Sequence, residues 1–216
     1  MRHKGVIFDL DGTLVDTLED ISIPMNKALE LHGYPVIETE KYREKLGWGI
    51  RRLAFLCLPE DARQDEIVAR IADDAALLYA ENPVGHSRPY PGMPELVAAL
   101  RRKKIKTAVL TNKPEATARH VVDTLFPQGS FDCVNGISGD KPHKPDPACV
   151  WELLVDLSLT PADIIFIGDS EVDMETAVSS GCYALGASWG FRSRQTLEKA
   201  GARLIIDRPE ELLELL

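Results

Sequence analysis

Four short runs of apolar residues recur along the chain without polar alternation: Gly5-Val6-Ile7-Phe8, Thr107-Ala108-Val109-Leu110, Ile164-Ile165-Phe166-Ile167 and Cys182-Tyr183-Ala184-Leu185. Runs of this kind predict strands buried on both faces, which is the signature of a parallel sheet. Between them, apolar positions fall at helical spacing over residues 95–103, 115–125, 147–157, 171–180 and 193–200. Strands alternating with amphipathic helices predict an α/β fold, a doubly wound parallel sheet of Rossmann type. A short strand over 203–206 and a helix over 210–216 close the pattern.

Residues 18–82 break this rhythm. Helical spacing is found over 19–31, 38–46, 50–56 and 61–79, with no convincing strand between them. Pro83, Gly85, Pro89, Pro91, Gly92 and Pro94 then crowd into one stretch, as expected of a linker or hinge. The expectation is an α/β core formed by residues 1–17 and 87–216, with an all-helical domain inserted over 18–86. No internal repeat or low-complexity tract is found.

At 216 residues and 44% hydrophobic content, the chain can bury one sizeable core and carry a modest insertion. Its 25 Lys and Arg against 34 Asp and Glu give a net charge of −9, which disfavours broad attraction to nucleic acid or anionic membrane. An anionic substrate must then be drawn by local charge. Arg101-Arg102-Lys103-Lys104 and Lys106 sit at a helix end, where basic residues complement the dipole as a solvated face. No apolar run is long enough for a membrane span, and Arg2, His3 and Lys4 lead directly into a strand rather than into a signal-peptide pattern. A cytoplasmic location is the expectation. Cys57, Cys133, Cys149 and Cys182 are widely spaced and form no CxxC, so they read as small hydrophobes rather than zinc ligands or disulfides.

Asp9 and Asp11 stand at i and i+2 where the first strand should end, followed by Gly12. In extended backbone both would point to one face, at the carboxyl edge where open α/β sheets bind ligands. Two like charges so close resist joint ionisation unless a cation lies between them. An EF-hand is excluded, because Leu14 occupies the position that needs Gly and Asp20 the position that prefers Glu. A strand-capping turn and the phosphoacceptor site of a receiver module remain open for this segment alone.

Three further segments bear on the choice. Thr111-Asn112-Lys113-Pro114 leads from a strand into a helix, where a hydroxyl and free N–H groups can hold an anion or simply cap the helix. Lys141 and Lys144 lie in a proline-rigid stretch before the next helix, and spacing does not decide between them. Gly168-Asp169-Ser170 ends another buried strand, and Asp173 follows one helical turn later. A carboxylate-rich set with no His or Cys ligands suits Mg²⁺.

These residues resemble the haloacid dehalogenase-like superfamily, in its phosphoglycolate phosphatase-like branch with a helical cap. The likeness spans essentially the whole chain and rests on four motifs in order: Asp9-Leu10-Asp11-Gly12-Thr13-Leu14-Val15-Asp16-Thr17, Thr111-Asn112, Lys144-Pro145-Asp146-Pro147, and Gly168-Asp169-Ser170 with Asp173. The resemblance implies a Mg²⁺-dependent phosphatase acting on a small phosphorylated metabolite. In it Asp9 is the nucleophile that becomes an aspartyl-phosphate, and Asp11 is the general acid and base. It further implies that Asp9, the Asp11 carbonyl and Asp169 hold the metal, that Thr111, Asn112 and Lys144 cradle the phosphoryl group, and that Asp173 acts from behind these ligands. The insertion would be a cap hinged near 16–18 and 83–91. On its loop Leu46-Gly47-Trp48-Gly49-Ile50-Arg51-Arg52, Arg51 or Arg52 would bind a second anionic group, or would be solvated.

Phosphoglycolate is the substrate the resemblance suggests first. A sugar-phosphate mutase, a pyrophosphatase and a non-enzymatic receiver switch are the rivals. Asp11 disfavours halide abstraction, whose enzymes lack that second aspartate. Gly186-Ala187-Ser188-Trp189-Gly190 matches the G-x-S-x-G elbow of serine hydrolases, but no histidine follows Ser188, as that chain order requires. The chain is expected to act as a monomer or homodimer.

Overall fold

In a computed structural model, residues 3–216 are described; Met1 and Arg2 lie outside the described residues, and so does the part of the N-terminal reading that rests on Arg2. The chain forms two compact units, residues up to Asp16 with Pro89–Leu216, and Thr17–Arg88.

The first unit is built on six parallel strands: β1 Gly5–Phe8, β4 Lys106–Pro114, β5 Cys133–Ile137, β6 Ile164–Gly168, β7 Tyr183–Ala187 and β8 Leu204–Ile206. Their order is β5-β4-β1-β6-β7-β8. β1 is central, in register with β4 from Gly5 opposite Lys106 and with β6 from Gly5 opposite Ile164. Every residue of β1 and β6 is buried, which is why both read as unbroken apolar runs. Helices α4 Met93–Arg102, α5 Glu115–Leu125, α6 Ala148–Leu157, α7 Glu171–Ser180 and α8 Arg194–Lys199 link the strands. One core cluster gathers Ile7, Leu110, Leu153, Phe166, Met174 and Leu197. Parallel strands put β1, β4 and β6 with their carboxyl ends on the same edge, and the chemistry collects there.

The second unit contains helices α1 Leu18–Leu31, α2 Ile50–Cys57 and α3 Asp65–Glu81, with α3 packed on both α1 and α2. Asn26 of α1 fastens the connection after that helix: its carboxamide exchanges hydrogen bonds with the backbone of Ile37 and accepts one from buried Tyr42 Oη at 2.7 Å. Buried Asp20 accepts from the Ser87 N–H at 2.7 Å and from the His86 N–H, tying the start of α1 to the returning chain. Two-residue strands, β2 Val15–Asp16 and β3 Arg88–Pro89, pair where the chain crosses between the units.

Several elements differ from the sequence expectation. β5 gives no apolar run, because it is the edge strand and carries Asn135 and Gly136 in a largely half-buried setting. The helix expected over 38–46 is only a 3-10 turn, Thr39–Tyr42. The helix expected over 61–79 is broken at Arg63, the end of a separate 3-10 turn, Glu60–Ala62, and α3 starts at Asp65. The closing helix is also 3-10, Pro209–Leu215. Among the described residues no helix is long and apolar enough to cross a membrane, and all four cysteines are free thiols. Two members of the basic run, Arg101 and Lys106, grip Asp132 at 2.7 and 3.0 Å. Against partial burial, the Thr107 N–H, then Lys106 and Arg101, hold its carboxyl below the ordinary range.

Candidate active site

β1 ends at Phe8, and the chain turns at Leu10, whose carbonyl accepts from the N–H groups of Leu14 and Val15 at 3.0 Å each. Asp9 and Asp11 therefore do not share one extended segment, and their carboxylates find different partners. Gly12 makes the turn possible. Its φ is +87°, and a Cβ there would strike the Asp169 carboxylate and the Phe191 ring.

Asp9 is buried and its Oδ1 lies 2.7 Å from Lys144 Nζ, an ion pair. The same ammonium donates to Asp173 Oδ1 at 2.6 Å. Asp173 is fully buried at the third position of α7, where its Oδ2 accepts from the Ser170 N–H at 3.0 Å and the Ser170 hydroxyl at 2.6 Å. This is a capping box, so one aspartate both starts the helix and holds the lysine. Asp169, just past β6, accepts from the Thr13 hydroxyl at 2.8 Å and the Phe191 N–H at 2.7 Å. Of the two lysines the sequence left open, Lys144 is buried in this cluster and Lys141 is exposed.

One oxygen from each of Asp9, Asp169 and Asp173 lies within 4.8 Å of the others. Ionised together, these three carboxylates face the single charge of Lys144, leaving an excess of two negative charges in a buried space. The physical response lies in the proton affinities of Asp9 and Asp169. Burial, then Asp173, hold the Asp9 carboxyl well above its ordinary range against the pull of Lys144, and Asp169 adds to the rise. Burial and Asp173 push Asp169 up to about 7, although Phe191 and Thr13 bond its charged form. Burial disfavours the Lys144 ammonium, but Asp173 and Asp9 outweigh it and raise its pKa. An oxygen-only donor set with unbalanced negative charge fits a hard divalent cation.

Asp11 turns instead to Lys113, whose Nζ is 2.6 Å from Asp11 Oδ1. Lys113 and Thr111 sit near the end of β4, where pairing with β5 shifts register between Leu110 and Pro114. The strand thus continues through the segment expected to follow it. Thr111 is buried, and its Oγ1 accepts from the Lys113 N–H at 3.2 Å. Asn112 Nδ2 donates to the Lys144 carbonyl at 2.9 Å, joining the second motif to the third.

Arg51 and Arg52 lie on the first turn of α2 in the other unit; both are exposed, and the Arg52 guanidinium stacks 4.8 Å from the Phe55 ring centroid. Sequence reasoning missed Lys113, Thr13 and Ser170. The Ser-x-x-Asp capping signature was available for Ser170, while Thr13 stood inside the first motif with no role of its own and Lys113 carried no signal beyond adjacency to Thr111 and Asn112. The G-x-S-x-G stretch serves Asp169. Trp189 Nε1 donates to the Thr13 carbonyl at 3.0 Å, a Cβ on Gly190 would collide with Asp169 and the Gly12 carbonyl, and Ser188 is spent on Asp207.

A family model described as haloacid dehalogenase-like hydrolase matches residues 6–187. The phosphoglycolate phosphatase of Aquifex aeolicus is 30% identical over 213 residues, covering 99% of this chain and 96% of that one. An N-acetylmuramic acid 6-phosphate phosphatase of Pseudomonas aeruginosa is also 30% identical, covering 100% and 96%. A crystal structure from Lactobacillus delbrueckii subsp. bulgaricus matches with a TM-score of 0.93 at 31% identity, covering 99% of this chain and 98% of the other.

Proposed function

Since the chain belongs to the haloacid dehalogenase-like hydrolases and is a phosphoric monoester hydrolase, we propose that it is a Mg²⁺-dependent phosphatase working through an aspartyl-phosphate on Asp9. The observation that carries this reading is the buried Asp9 carboxylate in contact with Lys144, beside Asp169 and Asp173. Asp9 attacks phosphorus as the bond to the leaving alcohol breaks, and Asp11 gives that alcohol its proton. Water then attacks the same phosphorus, loses a proton to Asp11 and releases Asp9, so one difficult displacement becomes two easier ones. Thr111, Asn112 and Lys144 present donors and positive charge to the phosphoryl oxygens, where transition-state charge is spread. Mg²⁺, held by Asp9, the Asp11 carbonyl and Asp169, would offset the excess negative charge and polarise the phosphoryl group. Asp173 supports it by fixing Lys144.

The helical unit is read as a cap hinged at 16–18 and 83–91, excluding water and shaping the leaving-group pocket. The two relatives named above carry different substrates in their names at the same 30% identity, so overall identity does not single out the leaving group. Both names denote phosphorylated carboxylic acids. That favours phosphoglycolate or a similar acid, with Arg51 or Arg52 as reader of the carboxylate. We read the protein as cytoplasmic, a monomer or homodimer, with a small phosphorylated metabolite as its partner.

Phosphate release across 2-phosphoglycolate, N-acetylmuramic acid 6-phosphate, sugar phosphates, nucleotides and pyrophosphate tests the reading. The expected result is metal-dependent release strongest for a phosphorylated acid. Dominant release from pyrophosphate would name a pyrophosphatase instead. Isomerised sugar phosphate without net release would name a mutase, and a lasting acylphosphate without turnover a receiver switch.

The cation requirement has a thermodynamic counterpart. An unfolded aspartate loses its proton near pH 4, whereas folded Asp169 keeps it to about 7. The metal-free fold therefore binds more protons across that window and loses stability as pH rises through it. Mg²⁺ competes with those protons. Its addition should raise the melting temperature more at pH 8 than at pH 5, measured by scanning calorimetry. Equal increments would be inconsistent with this coupling.

A further inference from the structure

Lys113 is a buried cation that the reaction scheme above does not use. Its side chain is 5% exposed, and among its contacts is the 2.6 Å ion pair with Asp11, whose own side chain is 19% exposed. Removing an ammonium from water is costly unless it is paired and hydrogen-bonded. The backbone that delivers it is specific: the register of β4 against β5 shifts over Thr111–Lys113, and the Lys113 N–H is bonded to Thr111 Oγ1. Thr111 and Lys113 stand two apart at the end of one strand. One strand end thus supplies a residue for the phosphoryl group and a residue for the acid–base carboxyl.

We propose that Lys113 is a positioning residue for Asp11, an inference that rests on the phosphatase reading. The ammonium occupies Asp11 Oδ1 and fixes the plane of the carboxyl. Oδ2 is then the oxygen left to exchange a proton with the leaving group and with water. In the first half-reaction the Asp9–phosphorus bond forms, the phosphorus–alkoxide bond breaks, and the proton on Oδ2 passes to the departing oxygen. In the second, water forms its bond to phosphorus, the Asp9–phosphorus bond breaks, and the water proton returns to Oδ2. Lys113 takes part in no bond change. Its role is to spare a carboxyl, otherwise free to rotate, the loss of orientation in both steps.

Leaving groups separate this role from a general structural or electrostatic one. A p-nitrophenolate departs without a proton, whereas a benzyl alkoxide needs one. Single-turnover cleavage of benzyl phosphate and p-nitrophenyl phosphate, with enzyme and Mg²⁺ in excess, is followed by rapid quench for wild type, Lys113→Met, Lys113→Arg and Asp11→Asn. Lys113→Met should slow benzyl phosphate by about 100-fold and p-nitrophenyl phosphate by less than about 5-fold, the scale of a general-acid contribution. Asp11→Asn should show the same split, and Lys113→Met should add nothing in that background.

Lys113→Arg keeps the charge at altered geometry, and should show the split at smaller size. It decides the matter if Lys113→Met does not fold. Equal slowing of both esters would overturn the proposal, as would additive losses in the double variant. So would a raised KM for 2-phosphoglycolate alone, which would make Lys113 a reader of substrate charge. Failure of the underlying reading looks different: wild type would then cleave neither ester in an Asp9-dependent way.

Discussion

Asp9→Asn should abolish turnover, by at least about 10⁴-fold as for loss of an enzymatic nucleophile, while making the metal-free protein more resistant to heat at pH 8. The two halves have one cause. An amide cannot form the acylphosphate, so the rest of the cluster is left without a nucleophile to serve. The carboxylate it replaces is held in the folded state against the preference of its surroundings. Burial and the neighbouring Asp173 raise its pKa, and Lys144 at 2.7 Å does not cancel them. A carboxyl whose folded pKa is raised contributes stability that is fully present below its unfolded pKa and is lost as pH climbs through the folded one. Asparagine of the same shape removes that cost and leaves Lys144 paired with Asp173.

Steady-state phosphate release and thermal melts at pH 5 and pH 8 check both halves. The gain in melting temperature should be larger at pH 8 and should vanish when wild type is saturated with Mg²⁺. Activity near wild type would sink the nucleophile assignment. A lower melting temperature at pH 8 would mean that the pair with Lys144 outweighs the crowding of carboxylates. Such trades of stability for a preformed charged site are common where function is built.

The core strands were legible because a strand buried on both faces leaves one unbroken apolar signature, as in β1 and β6. β5 was not, because an edge strand has one neighbour and need not be apolar, and its Gly136 sits where a Cβ would strike the backbone of Lys113 and Glu115. Helical spacing over 38–46 and 61–79 overstated the helices, since period alone does not report where a turn closes as 3-10. In the site, residue types at strand ends pointed to Asp9 and Asp169, and one helical turn further on to Asp173, and the fold brings the three together. Pairings were beyond the sequence. Nothing in it says that Asp11 turns to Lys113 while Asp9 turns to Lys144, because the turn at Leu10 separates carboxylates that extended backbone would have aligned.

Lys144→Met should do the opposite of Asp9→Asn to stability while matching its direction on rate. The ammonium is 2% exposed and bridges Asp9 and Asp173 at 2.7 and 2.6 Å, so its removal strands two buried carboxylates beside Asp169. Breaking a buried pair from one side costs about 3–5 kcal/mol, and loss of a donor to the transferring phosphoryl group costs about 10²–10³ in rate. The pH dependence identifies the cause. Lys144 has its pKa raised above the ordinary lysine value, so its own contribution is fully present below that value and is lost only at more alkaline pH. Between pH 5 and 8 it is constant. Any change of the penalty across that window belongs to the carboxylates, which escape by taking up protons as pH falls. The destabilisation measured by denaturant titration should therefore be smaller at pH 5 than at pH 8. Mg²⁺ should recover part of it at pH 8 without restoring the rate, because the cation offsets charge on Asp9 and Asp169 but does not replace the lysine as a donor. A penalty independent of pH, or a variant with wild-type turnover, would show that Lys144 is a packing residue whose charge is incidental.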